Sequence, residues 1–192
     1  MEKASSKKKK DKVMKSFGDG KSKGHQAEQP PLWRDILALL GKIAALGILF
    51  VLLFTVLFGL LRNQDAGMYP GVKDGDLVVF YRLDKKYHAQ DLLILDYQGQ
   101  RQVRRVVAVA GDTVDITEEG LLVNGSPQQE KAIYESTKRY DSGLELPLTL
   151  KEGEVFVLGD AREHATDSRI YGVVDTKKTL GKVMMIIRRR EF

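Results

Sequence analysis

The stretch Ile43–Leu61, IAALGILFVLLFTVLFGLL, runs for 19 residues without a charge. As a helix rising about 1.5 Å per residue it would be roughly 28 Å long, close to the ~30 Å hydrocarbon core of a bilayer. Ile36–Leu40 lengthens the apolar run, with Lys42 placed to snorkel and Trp33 placed as an interfacial anchor. A cleaved leader fits badly: the run is longer than a normal apolar leader segment and lies well inside the chain. No small-x-small site follows cleanly, Asp65-Ala66-Gly67 being the nearest approach. Residues 35–62 are therefore expected to form one uncleaved transmembrane helix.

Before this span the chain is basic and poor in apolar groups. Lys7, Lys8, Lys9 and Lys10 sit among Ser, Gly, Asp and Gln, so residues 1–34 read as a disordered, basic cytoplasmic tail. Nucleic acid and anionic lipid are both possible counterparts of the lysine run, and the adjoining span favours lipid over nucleic acid. Residues 1–61 hold 11 Lys/Arg against 5 Asp/Glu, whereas 62–192 hold 20 against 21. The positive excess thus belongs to the N-terminal end. By the positive-inside rule the tail stays in the cytosol and the C-terminal domain lies outside, giving a single-pass protein of the plasma membrane.

Beyond the span, residues 63–192 are long enough for their own core and read as mainly β. Leu77–Tyr81, Leu92–Tyr97, Val103–Val109, Val155–Leu158 and Val183–Ile187 are short apolar or β-branched runs between turn residues. Leu121-Leu122-Val123 leads into Asn124-Gly125, a strong hairpin signal, which also accounts for the glycosylation-like triplet Asn124-Gly125-Ser126. The polar segment 128–146 reads as a loop, and no helical period is seen outside the span. The absence of cysteine excludes disulfides, thiolate zinc sites, iron–sulfur clusters and a cysteine nucleophile. His25, His88 and His164 are too scattered to suggest a metal site.

Four stretches follow the span in order. They are Gly67-Met68-Tyr69-Pro70-Gly71; Gly75-Asp76-Leu77-Val78-Val79; Arg104-Arg105-Val106-Val107-Ala108-Val109-Ala110-Gly111-Asp112; and Gly159-Asp160-Ala161-Arg162 through Asp167-Ser168-Arg169 to Gly172. Taken together, this pattern resembles the type I signal peptidases, membrane-anchored serine proteases that remove signal peptides with a Ser/Lys dyad. The resemblance implies a signal-peptidase-like antiparallel β domain outside the membrane behind one N-terminal helix. It also implies membrane lipid and secreted precursor proteins as partners, and no cofactor or metal.

The departures from the family pattern fall on the chemistry. Gly67 stands at the Ser position and offers no oxygen to attack a carbonyl. Arg104 stands at the Lys position, and a guanidinium stays charged where a desolvated lysine can lose its proton. Ala165 falls where the family places a Ser that bonds the lysine, Gly71 replaces the usual Thr, and Ala110 replaces a Pro. By contrast Gly75, Asp76, Gly111, Asp112, Gly159, Asp160, Arg162, Asp167, Ser168, Arg169 and Gly172 match. They are turn formers and a carboxylate–guanidinium set suited to holding loops by Asp/Arg pairing. The scaffold is kept and the reactive groups are gone, so no catalytic residue is expected.

What the resemblance leaves is a shallow apolar groove that pairs with an extended peptide by β-addition, with Met68, Tyr69 and Pro70 as lining candidates. The resulting expectation is a binding protein or chaperone for secreted precursors. Dyad-lacking signal-peptidase-like proteins of Gram-positive pilus assembly are the nearest resemblance, with pilin and sortase as implied partners. Two alternatives stand beside it. One is an active, atypical signal peptidase I using Asp65, Ser168 or Tyr69; the other is an outer β domain that only scaffolds other proteins.

Overall fold

A computed structural model of the chain describes residues 32–188 apart from 129, 131, 132, 134 and 141–143. The lysine run, most of the tail and His25 lie outside the described residues. The chain falls into two units divided between Leu46 and Gly47. The described part of the first is the opening of helix α1, Leu32–Leu57; the second holds the rest of that helix and every strand.

Helix α1 has 26 residues, none of them buried, and is long and apolar enough to cross a membrane. It begins before residue 35 and stops five residues short of 62. Phe58–Arg62 is a strand, β1, although it is as apolar as the helix before it. Two things convert it. Its backbone pairs antiparallel with β2, Leu77–Tyr81, from Phe58↔Tyr81 to Arg62↔Leu77. In addition, Gly59 leaves the place of a side chain to the Phe80 ring, which a Cβ there would overlap. Arg82 closes the helix end, its backbone N–H donating to Leu57 O at 2.9 Å and its Nε to Phe58 O at 3.2 Å.

The remaining strands are β3 Leu92–Tyr97, β4 Gln100–Ala108, β5 Thr113–Thr117, β6 Gly120–Val123, β7 Ser126–Pro127, β8 Leu148–Thr149, β9 Glu154–Leu158, β10 Val174–Asp175 and β11 Gly181–Ile187. A four-residue helix, α2, covers Ser168–Tyr171. The strands form a seven-stranded sheet in the order β1-β2-β11-β3-β4-β9-β10 and a four-stranded sheet in the order β7-β6-β5-β8, with every pair antiparallel.

Central strands of the large sheet are covered on both faces, which is why Leu92–Leu95 is a continuous apolar run rather than an alternating one. Ile94 packs with Met68, Val72, Val78, Phe80 and Val103. Leu93 and Leu95 pack with Tyr87, Val106, Val155 and Val157. A third cluster ties Ala108, Phe156 and Leu158 to Val114, Ile116 and Leu121 of the small sheet.

The Asn124-Gly125 turn joins β6 to β7 with φ of 53° and 73° at its two residues, the positive values that a tight hairpin turn needs. The described residues of 128–146 hold no helix or strand, as expected. Besides β1, four elements among the described residues escaped the sequence pattern: β5, the two-residue strands β8 and β10, and α2.

Candidate functional site

Asp65, Ala66 and Gly67 leave β1 through a short loop into a 3-10 turn, Ala66–Met68. The Asp65 carboxylate caps that turn, accepting from Gly67 N–H at 3.0 Å. Arg104 reaches the same place from β4. Its side chain is 0% exposed; Nε donates to Thr166 O at 2.9 Å, Nη1 to Val103 O at 2.6 Å, and Nη1 also to Asp65 Oδ2 in an ion pair. A Cβ built on Gly67 would stand 3.1 Å from Arg104 Nη2 and 3.2 Å from both Asp65 carboxylate oxygens. The two positions that the motif order singled out therefore meet. The space into which a residue-67 side chain would project is walled by an ion pair.

The segment 159–165 closes over the turn. Ala161 N–H donates to Gly67 O at 3.1 Å, and Ala165 N–H to Ala161 O at 3.0 Å. Gly159 approaches so closely that a Cβ there would overlap both Ala165 Cβ and Gly67 O. Ala165 is buried, and the carbonyl of the next residue, Thr166, accepts from Arg104. All three altered positions, Gly67, Arg104 and Ala165, thus belong to one locality.

The Asp/Arg residues hold loops, with partners that sequence alone did not assign. Asp160 and Arg105 form a two-pronged pair, Nε to Oδ1 and Nη2 to Oδ2, both at 2.7 Å. That pair, ahead of the opposing desolvation, raises the arginine's pKa above its ordinary value. Buried Arg162 donates through Nε to Gly159 O at 2.9 Å and through Nη1 to Thr137 Oγ1, and its Nη2 pairs with Glu130 at 2.5 Å. Asp167 and Arg169 pair in full burial. Ser168 is structural: its Oγ accepts from Val157 N–H at 3.0 Å. Asp76, in the turn where Gly75 takes φ +85°, accepts from Lys73 N–H at 2.9 Å. Asp112, beside Gly111 at φ +91°, accepts from Val109 N–H and from Asn124 Nδ2. Gly172 closes α2 at φ +79°.

Gly71, where the family pattern has Thr, now has a physical reason. A Cβ on it would overlap Asp160 Oδ2 and come within 3.4 Å of Arg105 Nη2. Gly71→Thr is expected to displace the Asp160–Arg105 pair and destabilise the domain by about 1–3 kcal/mol. Thermal unfolding of the variant beside the parent checks this; an unchanged midpoint would contradict it.

The expected groove needs two corrections. Met68 is 0% exposed and belongs to the core with Val72 and Val103, so its side chain cannot line a surface; Tyr69, at 57%, and half-buried Pro70 do reach outward. The cavity that Asp65 lines is also polar rather than apolar. It encloses about 490 Å³ and is lined by Asp65, Arg62, Gln64, Gln100, Arg101 and Gln102, with Leu61 and Gly99. Two strand edges open on it. β1 ends the large sheet, and β4 pairs with β9 only at Arg105–Ala108, which leaves Gln100–Arg104 with one edge unpaired among the described residues.

Of the alternatives Asp65, Ser168 and Tyr69, Asp65 lines this cavity, paired with Arg104, and the other two do not line it. The Tyr171 hydroxyl is buried, and desolvation, partly offset by nearby Arg104, pushes its pKa far above the ordinary phenol value. Lys85 and Thr179 form a hydroxyl–amine pair, Nζ to Oγ1 at 3.4 Å, with the lysine pKa lowered by burial and then by Arg82. Thr179 is nonetheless buried, its hydroxyl donates to Thr176 O at 2.7 Å and meets Tyr87 Oη at 2.6 Å, and it does not line the cavity.

The family model described as signal peptidase, peptidase S26, matches residues 36–188. The chain is 28% identical over 146 residues to a signal peptidase I of Bacillus licheniformis, covering 70% of this chain and 78% of that protein. It is 29% identical over 166 residues to signal peptidase IB of Staphylococcus aureus, covering 76% and 87%. Among solved structures, a signal peptidase I from Enterococcus faecalis aligns at 29% identity and a TM-score of 0.44, covering 52% of this chain and 97% of that one.

Proposed function

The chain belongs to the signal peptidase family S26, and from that premise we propose that it is a member without peptidase activity, a membrane-anchored protein that holds secreted precursors without cutting them. The observation that carries this reading is the Arg104–Asp65 ion pair beside Gly67. Acyl transfer requires an attacking hydroxyl and a neutral base within reach of it. Here the attacking position has no side chain, and the base position holds a guanidinium paired to a carboxylate.

Binding requires less. An extended segment needs backbone donors and acceptors, and the unpaired edges of β1 and of Gln100–Arg104 supply them on either side of the cavity. Family membership and the apolar helix associate the chain with a membrane and with secreted precursors. The surplus of Lys/Arg before the helix supports a cytoplasmic N-terminus and an extracellular β domain. A place in sortase-dependent pilus assembly, with pilin and sortase as partners, rests on the resemblance to dyad-lacking signal-peptidase-like proteins alone.

The full chain in detergent is expected to form a complex with a secreted precursor and release no product. Deletion of its gene is expected to leave precursor processing intact and to abolish surface-polymer assembly. Cleavage at a single bond that persists through repurification and disappears on Asp65→Ala would return the protein to the peptidases.

A further inference from the structure

The lining of the cavity indicates which segment it holds, an inference that rests on the peptide-holding reading above. Gln102 is only 5% exposed, yet no hydrogen bond reaches its side chain among the described residues, and its buried Oε1 is unpartnered. A buried amide without a partner loses its hydration and gains nothing in return, so such a group sits where a ligand or water completes it. Gln102 lines the cavity from the strand whose edge is open.

Charge narrows the class. Arg62 and Arg101 are exposed at the cavity and enter no ion pair among the described residues. The one carboxylate in the lining, Asp65, is already matched by Arg104. The cavity therefore presents two uncompensated guanidiniums, which bond carboxylates in a two-pronged geometry. A segment of small apolar side chains would leave both arginines and the Gln102 amide unanswered.

We propose that the slot takes an extended, acidic polypeptide segment. Its backbone lies along the free edge of β4 with the Gln102 amide completing one peptide group, and its Asp or Glu side chains meet Arg62 and Arg101. The precursor is thus recognised through a polar stretch of its chain rather than through an apolar leader.

The test uses the full-length protein in detergent micelles and three fluorescein-labelled peptides of equal length, all amidated at the C-terminus. One is rich in Asp, Glu, Ser and Thr; the second carries Asn and Gln in place of the acids; the third is built from Ala and Val. Fluorescence anisotropy should show the acidic peptide binding at least about tenfold tighter than the other two, with that preference fading as salt rises. Arg62→Ala with Arg101→Ala should remove the preference, and Gln102→Leu should weaken the acidic and amide peptides alike. Both arginines are exposed, so the double variant retains its fold. Equal or tighter binding of the Ala/Val peptide, or an acidic preference untouched by the double variant, overturns the acidic class and leaves the peptide-holding reading in place. Failure of all three peptides to bind overturns both.

Discussion

The full chain carrying Gly67→Ser and Arg104→Lys is expected to release no product from a secretory precursor, and cleavage is expected to become measurable only when Asp65→Asn is added. Restoring the hydroxyl and the amine recreates the reacting groups but leaves Asp65 in place, next to the position of both. An opposite charge within ~4–6 Å favours the charged form of a titrating group by about 1–3 pKa units. A lysine at position 104 would stay protonated beside that carboxylate, and a protonated amine takes no proton from serine. Asparagine at 65 removes the charge yet keeps an oxygen to cap the 3-10 turn, so the loop that presents residue 67 is preserved. General-base catalysis contributes on the order of 10²–10⁴ in rate, so the triple variant should exceed the double by about 100-fold or more. The measurement is product formation against time for parent, double and triple variants. A double variant as fast as the triple would show that Asp65 does not hold the base charged. Turnover by the parent would remove the premise altogether.

Much of this site could be read along the chain, and the parts that could not share a cause. Motif order placed Gly67, Arg104 and Ala165 together because each lies in a stretch bounded by turn residues with fixed roles in the fold. The partner of Arg104 did not follow from the sequence. A buried guanidinium must be paired, but which carboxylate reaches it is decided by how the loop after β1 crosses β4. Met68 was misplaced for a local reason: neighbours in a tight turn point to opposite sides, so the residue beside an exposed position is the one that fills the core. The polar cavity was missed because its walls come from 61–65 and 99–102, segments that meet only when the sheet is formed. The expected helix overshoots the C-terminal end of α1 because Phe58-Gly59-Leu60-Leu61 suits a membrane helix and a strand equally by hydropathy. The ladder to β2 and the Phe80 ring over Gly59 decide between them. Leu77–Tyr81 and Leu92–Tyr97, each preceded by an aspartate, Asp76 and Asp91, have the bounds that the pattern gives them.

Asp167→Ala should be the most damaging single change to the domain. The Asp167 carboxylate is fully buried and accepts four hydrogen bonds: from Gly159 N–H at 3.1 Å, Arg169 N–H at 3.1 Å, Arg169 Nε at 2.9 Å and Arg169 Nη2 at 2.8 Å. Arg169 in turn donates to Arg162 O at 2.6 Å and lies over the Tyr140 ring at 4.5 Å, so its guanidinium is held in the interior when the carboxylate is removed. Breaking a buried pair from one side typically costs about 3–5 kcal/mol, a large share of the ~5–15 kcal/mol that holds a domain folded. At about 3–5 °C per kcal/mol for a domain of this size, the calorimetric midpoint should fall by roughly 10–20 °C. The loss should also reach the site, because Gly159 N–H is one of the four donors and the segment it begins is bonded to Gly67 O through Ala161. Peptide binding should weaken even below the new midpoint. Replacing both partners, Asp167→Leu with Arg169→Met, separates the causes, since it removes the stranded charge while still deleting the contact to Gly159. Stability should recover in that double variant and binding should not. A midpoint shift under about 3 °C for Asp167→Ala would mean that the pair only decorates the loop, and recovery of binding in the double variant would break the proposed link between this ion pair and the turn that carries Gly67.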